Sequence, residues 1–413
     1  MNRQASIAPT HTTRAASKTS GSSESLSAQL DVRPPRVVHI ITGLGQGGAE
    51  HMLVRLLETS GAPERFHVVS LADDCYYAAR LRAQGIGVTS FGLQKNLGAL
   101  VTMPRLVRLL RRLRPEIVQT SMYHANLFGG LAARLAGVRA LVWGIRQSSL
   151  DRHYHSVRTI RIARLGAWTS RWLPERTVYC SQQAVAAHVA FGYDARRLVV
   201  LPNGFDLASY RPDPAARREF RRELGIGDDE DVIGMVARFH PVKDHQGLLA
   251  AFGALRDRQP DCRLVLCGQG VGPENAVLQQ QIKNLSLEGR VMLLGPRQDI
   301  ARVMNGIDVH VLSSSSEGFP NVLGEAMACG TPCVATDVGD SREIVGDTGW
   351  LVPPGDRDPL TRALLEAIGE TAEQRASRGA RCRQRIAERF EIGAVSRRYA
   401  ELWQEVRTSR DGV

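Results

Sequence analysis

Arg36-Val37-Val38-His39-Ile40-Ile41-Thr42-Gly43-Leu44-Gly45-Gln46-Gly47-Gly48-Ala49-Glu50 runs from a β-branched apolar segment into a glycine-rich loop, and an amphipathic stretch over residues 52–57 comes next. Strand, glycine loop and helix form the opening of a Rossmann-like unit. Taken alone, such a loop is more often a tight turn than a binding site, so the reading rests on the segments downstream of it. The spacing predicts strands over 66–71, 88–91, 117–120, 141–143 and 177–179, with helices over 76–83, 103–113 and 126–135 between them. Strands alternating with helices specify a parallel sheet covered on both faces.

The pattern breaks at Leu201-Pro202-Asn203-Gly204-Phe205-Asp206, and Pro212 and Pro214 lie just beyond, which places a boundary near residue 212. A second series of strands is expected over 232–236, 264–266, 291–294, 309–312 and 332–335. The expected architecture is α/β: two Rossmann-like domains, 35–212 and 213–390, facing each other across a cleft at the carboxyl ends of their strands. Residues 1–34 are rich in Ser, Thr and Ala, hold no apolar segment, and are read as a disordered tail rather than a secretory signal.

The totals agree with two soluble cores. Hydrophobic residues make up 43% of the 413, and no run approaches the roughly 18 apolar residues of a membrane-spanning helix. Seven cysteines, none in a Cys-x-x-Cys pair, argue against a zinc site or disulfide framework and for a reducing compartment. Charge is unevenly spread: residues 1–212 carry 27 Lys and Arg against 12 Asp and Glu, the remainder 26 against 30. A basic first half points to an anionic partner such as a membrane surface, a lipid phosphate or nucleic acid.

Ser313-Ser314-Ser315-Ser316-Glu317-Gly318-Phe319-Pro320-Asn321-Val322-Leu323-Gly324-Glu325-Ala326-Met327 carries the chemistry. It succeeds an apolar strand, and Pro320 suits the first turn of a helix. Glu317 then lies in the loop and Glu325 about one turn into the helix. The helix start offers unpaired amides and partial positive charge, a seat for a diphosphate, beside which carboxylates can accept hydrogen bonds from hydroxyls.

This segment resembles the Glu-x7-Glu signature of retaining glycosyltransferases of the GT4 family, which have the GT-B fold. Gly339, Glu343 and Gly349-Trp350-Leu351-Val352-Pro353-Pro354-Gly355-Asp356 resemble the family's later landmarks, and Ser181 and Pro202–Asp206 its inter-domain segment; the match extends through most of residues 36–406. The resemblance implies a C-terminal helix, 391–413, packing back on the first domain. It implies that Glu325 binds the donor's ribose and that Glu317 lies at the donor sugar, joined by the backbone of Gly318, Phe319 and Asn321 and by Val322. It implies Arg238 and Lys243 on the diphosphate, Arg297 in the loop at the base, Gly47 and Gly48 near the phosphates and acceptor, and His124 beside the donor sugar. Catalytic roles then fall to Glu317, His124, Arg238 and Lys243, with no metal and no cofactor beyond the nucleotide sugar. Many family members carry Gly where Pro320 stands, and proline has no N–H to offer, so the sugar's identity stays open.

What the family implies is a hexosyltransferase moving a sugar, with UDP preferred over GDP as carrier, to a glycan or polyprenyl-diphosphate-linked acceptor of a capsule, O-antigen or exopolysaccharide, at the cytoplasmic face of a membrane. A nucleotide-sugar epimerase of the same fold and a non-catalytic nucleotide-sugar sensor are the alternatives. Asp229/Asp231 and Asp356/Asp358 mimic a metal-binding Asp-x-Asp, but their linker and Pro/Gly-turn settings make them surface charge. Arginines 105, 108, 111, 112 and 114, and those within 155–176, interleave with apolar residues including Trp168 and Trp172. Solvated faces of core-packing helices would explain them; the charge balance favours an anionic membrane surface. Without a base-stacking platform, nucleic acid is not expected.

Overall fold

The computed structural model describes residues 36–409 apart from 46, 74–75, 93–97, 148–149, 151–155, 256–257 and 260. The readings made for the 1–34 tail, Gln46, Asp74, Cys75 and His155 lie outside the described residues. One parallel sheet comprises β1 (Val37–Ile41), β2 (Phe66–Ser70), β3 (Gly87–Ser90), β4 (Ile117–Ser121), β5 (Leu141–Ile145), β6 (Arg176–Tyr179) and β7 (Leu198–Val200). Its order is β3-β2-β1-β4-β5-β6-β7. A second parallel sheet comprises β8 (Val232–Val236), β9 (Arg263–Cys267), β10 (Val291–Leu293), β11 (Val309–Leu312), β12 (Cys333–Thr336) and β13 (Trp350–Val352), in the order β10-β9-β8-β11-β12-β13.

In each sheet the first strand in sequence is flanked by its second and fourth: Val37 is in register with both Phe66 and Ile117, and Ile233 with both Leu264 and Val309. The winding direction reverses there, so a crevice opens at the strands' carboxyl ends. β1, β4, β5 and β12 are buried along their whole length, so that even His39, Gln119 and Thr120 lie inside the fold.

Helix starts differ from the expected ones. The first helix is Gly48–Thr59, beginning before the apolar stripe, because its Gly-Ala-Glu turn carries no hydrophobic period. Helix Gly98–Leu113 runs through Pro104 instead of starting beside it, and helix Tyr123–Leu135 begins earlier than 126. The stretch read as a helix from 76 is helical only over Ala78–Ala83. β7 and β13 are short and only partly buried, so their sequences carry little signal.

The chain ends in two helices that part company. Ala372–Phe390, opened by a capping box between Thr371 and Gln374, sends Cys382, Ile386 and Phe390 into the second domain's core. Ile392–Thr408 sends Ile392, Val395, Tyr399, Leu402, Trp403 and Val406 into the cluster built by β1 and the Gly48–Thr59 helix. Its Trp403 Nε1 donates to Gln119 Oε1 at 2.6 Å, satisfying the one polar atom of a buried indole.

The two passages between domains are bonded to each other. Phe205 N donates to Phe390 O at 2.8 Å, and Ile392 N to Phe205 O at 3.0 Å. The approach is close enough that a Cβ on Gly204 would fall 2.8 Å from Ile392 Cα, and one on Gly324 would fall 2.1 Å from the Phe205 ring. Phe205, Phe319 and Phe390 pack as an aromatic cluster there, with ring centroids 5.9–6.4 Å apart.

Candidate active site

The loop after β11 delivers Glu317 to the cleft. Its Oε1 accepts from Lys243 Nζ at 2.5 Å and from Ser314 Oγ at 2.6 Å. Lys243 ends the short turn Pro241–Lys243 after β8, so the pair joins the carboxyl ends of neighbouring strands. Gly339 (φ +56°) makes this fit possible: a Cβ there would lie 2.4 Å from Gly318 O. Pro320 stands as N-cap of helix Asn321–Ala328, and Val322 packs on the second domain's core beneath it. Phe319 turns its ring into the inter-domain aromatic cluster, so at the cleft only its backbone is on offer.

Glu325, 5% exposed, is held from the other domain. Its Oε1 accepts from Arg55 Nη2 at 2.5 Å, and Arg55 also donates to Gly204 O at 3.4 Å. The guanidinium carbon lies 5.2 Å from the Tyr210 ring centroid. Nothing in the glycosyltransferase signature pointed to Arg55. The available signal was local: an arginine inside Met52-Leu53-Val54-Arg55-Leu56-Leu57, a run whose other side chains are all buried, demands a buried partner.

Asn321 makes a second bridge. Asn203 Nδ2 donates to Asn321 Oδ1 at 2.9 Å, Arg146 Nη1 to Asn203 Oδ1 at 3.0 Å, and Arg146 Nη2 to Tyr399 OH at 2.6 Å. A Cβ on Gly48 would come within 3.1 Å of Asn321 Nδ2, so the glycine loop abuts the helix start; Gly47 is the preceding N-cap. A third bridge is Asp340, which accepts from the Ser181 hydroxyl and the Gln183 amide at the start of helix Gln182–Phe191. Burial pushes its carboxyl up to about 6, against the opposing pull of the Ser181 hydrogen bond.

Beside these bridges lies a polar inter-domain cavity of about 720 Å³, lined by Arg55, His51, Tyr77 and Tyr210 together with Arg238 and Arg297. Arg238 is exposed and enters no ion pair among the described residues. Arg297 is pinned by Glu223 at 2.7 Å and Asp299 at 2.6 Å, with its guanidinium over the Phe220 ring. Burial, then the nearby Arg55, lowers His51 to about 4, so it faces the cavity neutral at pH 7.

His124 is not among the residues lining that cavity. It is the second residue of helix Tyr123–Leu135 and lines an apolar cavity of the first domain; burial, then Arg158, lowers its proton affinity. The residue capping that helix, Met122, is held at φ +78°, a strained conformation for a non-glycine residue that nothing in its sequence announced. Both Asp-x-Asp patterns have structural partners: Asp231 pairs with Arg375 at 2.8 Å, and Asp356 caps the helix Arg357–Ile368. The six cysteines among the described residues are buried free thiols.

Two Rossmann-like domains meeting across a cleft, with a carboxylate loop on one and cationic groups on both, define the GT-B fold. The chain belongs to the GT4-type glycosyltransferases: residues 37–209 match the family model "Glycosyltransferase Family 4" and residues 216–385 match "Glycosyl transferases group 1". It is 31% identical to EpsF of Bacillus subtilis (strain 168), named as a glycosyltransferase, across 73% of this chain and 79% of that one. Identity is 26%, across 73% and 78%, to the Escherichia coli UDP-Gal:alpha-D-GlcNAc-diphosphoundecaprenol alpha-1,3-galactosyltransferase. Among solved structures it is similar to HepE of Anabaena in complex with UDP, with TM-score 0.79 and 26% identity over 90% of this chain and 100% of that one.

Proposed function

We propose that this enzyme transfers a sugar from a UDP-linked donor to a glycan or polyprenyl-diphosphate-linked acceptor in surface-polysaccharide synthesis, with retention and without a metal ion. The observation that carries the reading is the Glu317–Lys243 pair beside the first turn of helix Asn321–Ala328, one turn from Glu325. The complexes of HepE with UDP and UDP-glucose support UDP as carrier, and the acceptor named for the Escherichia coli relative supports a lipid diphosphate.

On this reading a leaving diphosphate gains charge as the glycosidic bond breaks. Lys243, Arg238 and the helix amides stabilise it, each charge-assisted hydrogen bond contributing about 1.5–3 kcal/mol. Glu317 holds Lys243 in place and accepts from the sugar's hydroxyls, and Glu325 accepts from the ribose. The acceptor attacks the same face, and the leaving phosphate takes its proton, so no enzyme nucleophile is required. The enzyme then works at the cytoplasmic face of a membrane; no described helix is long and apolar enough to cross one.

Calorimetric titration with UDP, GDP and ADP, each with and without EDTA, tests the donor. Saturable binding of UDP alone, unchanged by EDTA, is the expected outcome. Tighter GDP binding, or UDP binding abolished by EDTA, would overturn the corresponding part.

A further inference from the structure

The apolar cavity around His124 has the shape of a site for an amphiphile. It is a groove of about 760 Å³ between helices Tyr123–Leu135 and Val157–Thr169. At one end lie Thr42 and Ala72, just past the carboxyl ends of β1 and β2, with His124. From there one stripe on each helix lines it, Leu127 to Leu131 and Arg158 to Leu165, at the i, i+3, i+4, i+7 spacing of a single face. Seven residues of helix span about 10 Å, enough for two or three isoprenoid units.

The far end opens on solvent. Leu131 is 44% exposed, Leu165 47% and Trp172 52%; Trp168, 62% exposed, packs edge-on against Trp172. Core-packing helices would bury such residues, and an apolar patch left open marks an interaction site. Helix Val157–Thr169 along it carries Arg158, Arg161 and Arg164, all exposed, and no acid. Arg158 lines the groove near His124, at the end closest to the cleft.

We propose that this groove holds the hydrocarbon chain of a lipid-linked acceptor, its phosphate at the Arg158 end and its tail leaving past Leu131, Leu165 and Trp172. The inference rests on the proposed function, since it supplies the acceptor side of that reaction. A phosphate seated at Arg158 puts the attached sugar toward the carboxyl ends of β1 and β2, where the cleft begins.

The test is calorimetry of the full chain with farnesyl phosphate, inorganic phosphate, and phosphatidylcholine–phosphatidylglycerol vesicles. Leu131→Gln/Leu165→Gln and Arg158→Gln, substitutions at exposed positions, are measured alongside. Farnesyl phosphate is expected to bind saturably and more tightly than inorganic phosphate, and about tenfold more weakly to each variant, with UDP affinity unchanged. No saturable binding, equal binding by the leucine variant, or inorganic phosphate binding as tightly would overturn the proposal. So would vesicle binding lost in the leucine variant while farnesyl phosphate binding persists, because the face would then be a bilayer dock. UDP titration of the same preparation separates the two readings: farnesyl phosphate without UDP binding sinks the donor reading, and UDP without farnesyl phosphate binding sinks the groove.

Discussion

The second domain brings both Glu317 and Glu325 and the helix start between them from one short stretch, 313–325, with Lys243, Arg238, Arg297 and Asp340 added from the loops that surround it. The first domain answers from positions far apart in sequence: Gly48, Arg55, Arg146, Ser181 and Asn203. A local motif survives because its geometry is set within one loop and helix. Scattered partners are set by how two sheets meet, and each has to be found from its burial or its hydrogen bonds.

Removing the last helix would break that division most severely. Residues 391–413 come after the second domain in sequence, yet the apolar face of helix Ile392–Thr408 completes the first domain's core. Truncation after Phe390 exposes the pocket of Leu402, Trp403 and Val406, at about 1.5–3 kcal/mol per buried side chain. The expected result is loss of protease resistance over 36–212; a truncated chain that melts like the full one would remove the helix from that core.

The Arg55–Glu325 pair gives the next largest effect. Removing either partner alone leaves a buried unpaired charge, costing about 3–5 kcal/mol, whereas an apolar pair in their place is close to neutral. Urea unfolding of Arg55→Met, Glu325→Leu and the double variant should show two destabilised singles and a recovered double. UDP affinity should fall at least about tenfold with Glu325→Leu and stay within about threefold with Arg55→Met. Equal losses from both would make Arg55 a donor ligand in its own right.

The smallest effect tests the Asp340 bridge. The folded carboxyl keeps its proton up to about pH 6, whereas its reference value is 3.8. Between those values the folded state binds more protons, so stability falls as pH rises through the window and levels off above it. A melting-temperature difference of about 1–2 °C between pH 4.5 and 7 attributable to this group is expected, absent from Asp340→Asn; a slope that survives the substitution would assign it elsewhere.

Much of the architecture is legible in the sequence. Largely apolar runs such as Val232–Val236 and Val309–Leu312 form strands at the expected positions, because strands covered on both faces carry few polar side chains. The helix over Asn321–Ala328 is announced by Pro320. Helix starts are hidden where the first turn is small or polar, as at Gly48, or where the residue before it is strained, as at Met122. At the site, the Lys243–Glu317 pair joins two residues that the family resemblance singles out. The same resemblance names His124, which lines the first domain's apolar groove. Arg55 escapes a sequence reading because an amphipathic pattern treats any charge on such a helix as a solvated one.

The paired passages at Phe205 and Phe390–Ile392 limit what the molecule can do mechanically. Two pins set side by side fix an axis: one body can swing on the other, but it cannot slide or twist freely. Every contact that spans the cleft is therefore a latch on the same door. The Arg55–Glu325 and Asn203–Asn321 bonds and the seat of Gly48 all resist that one swing.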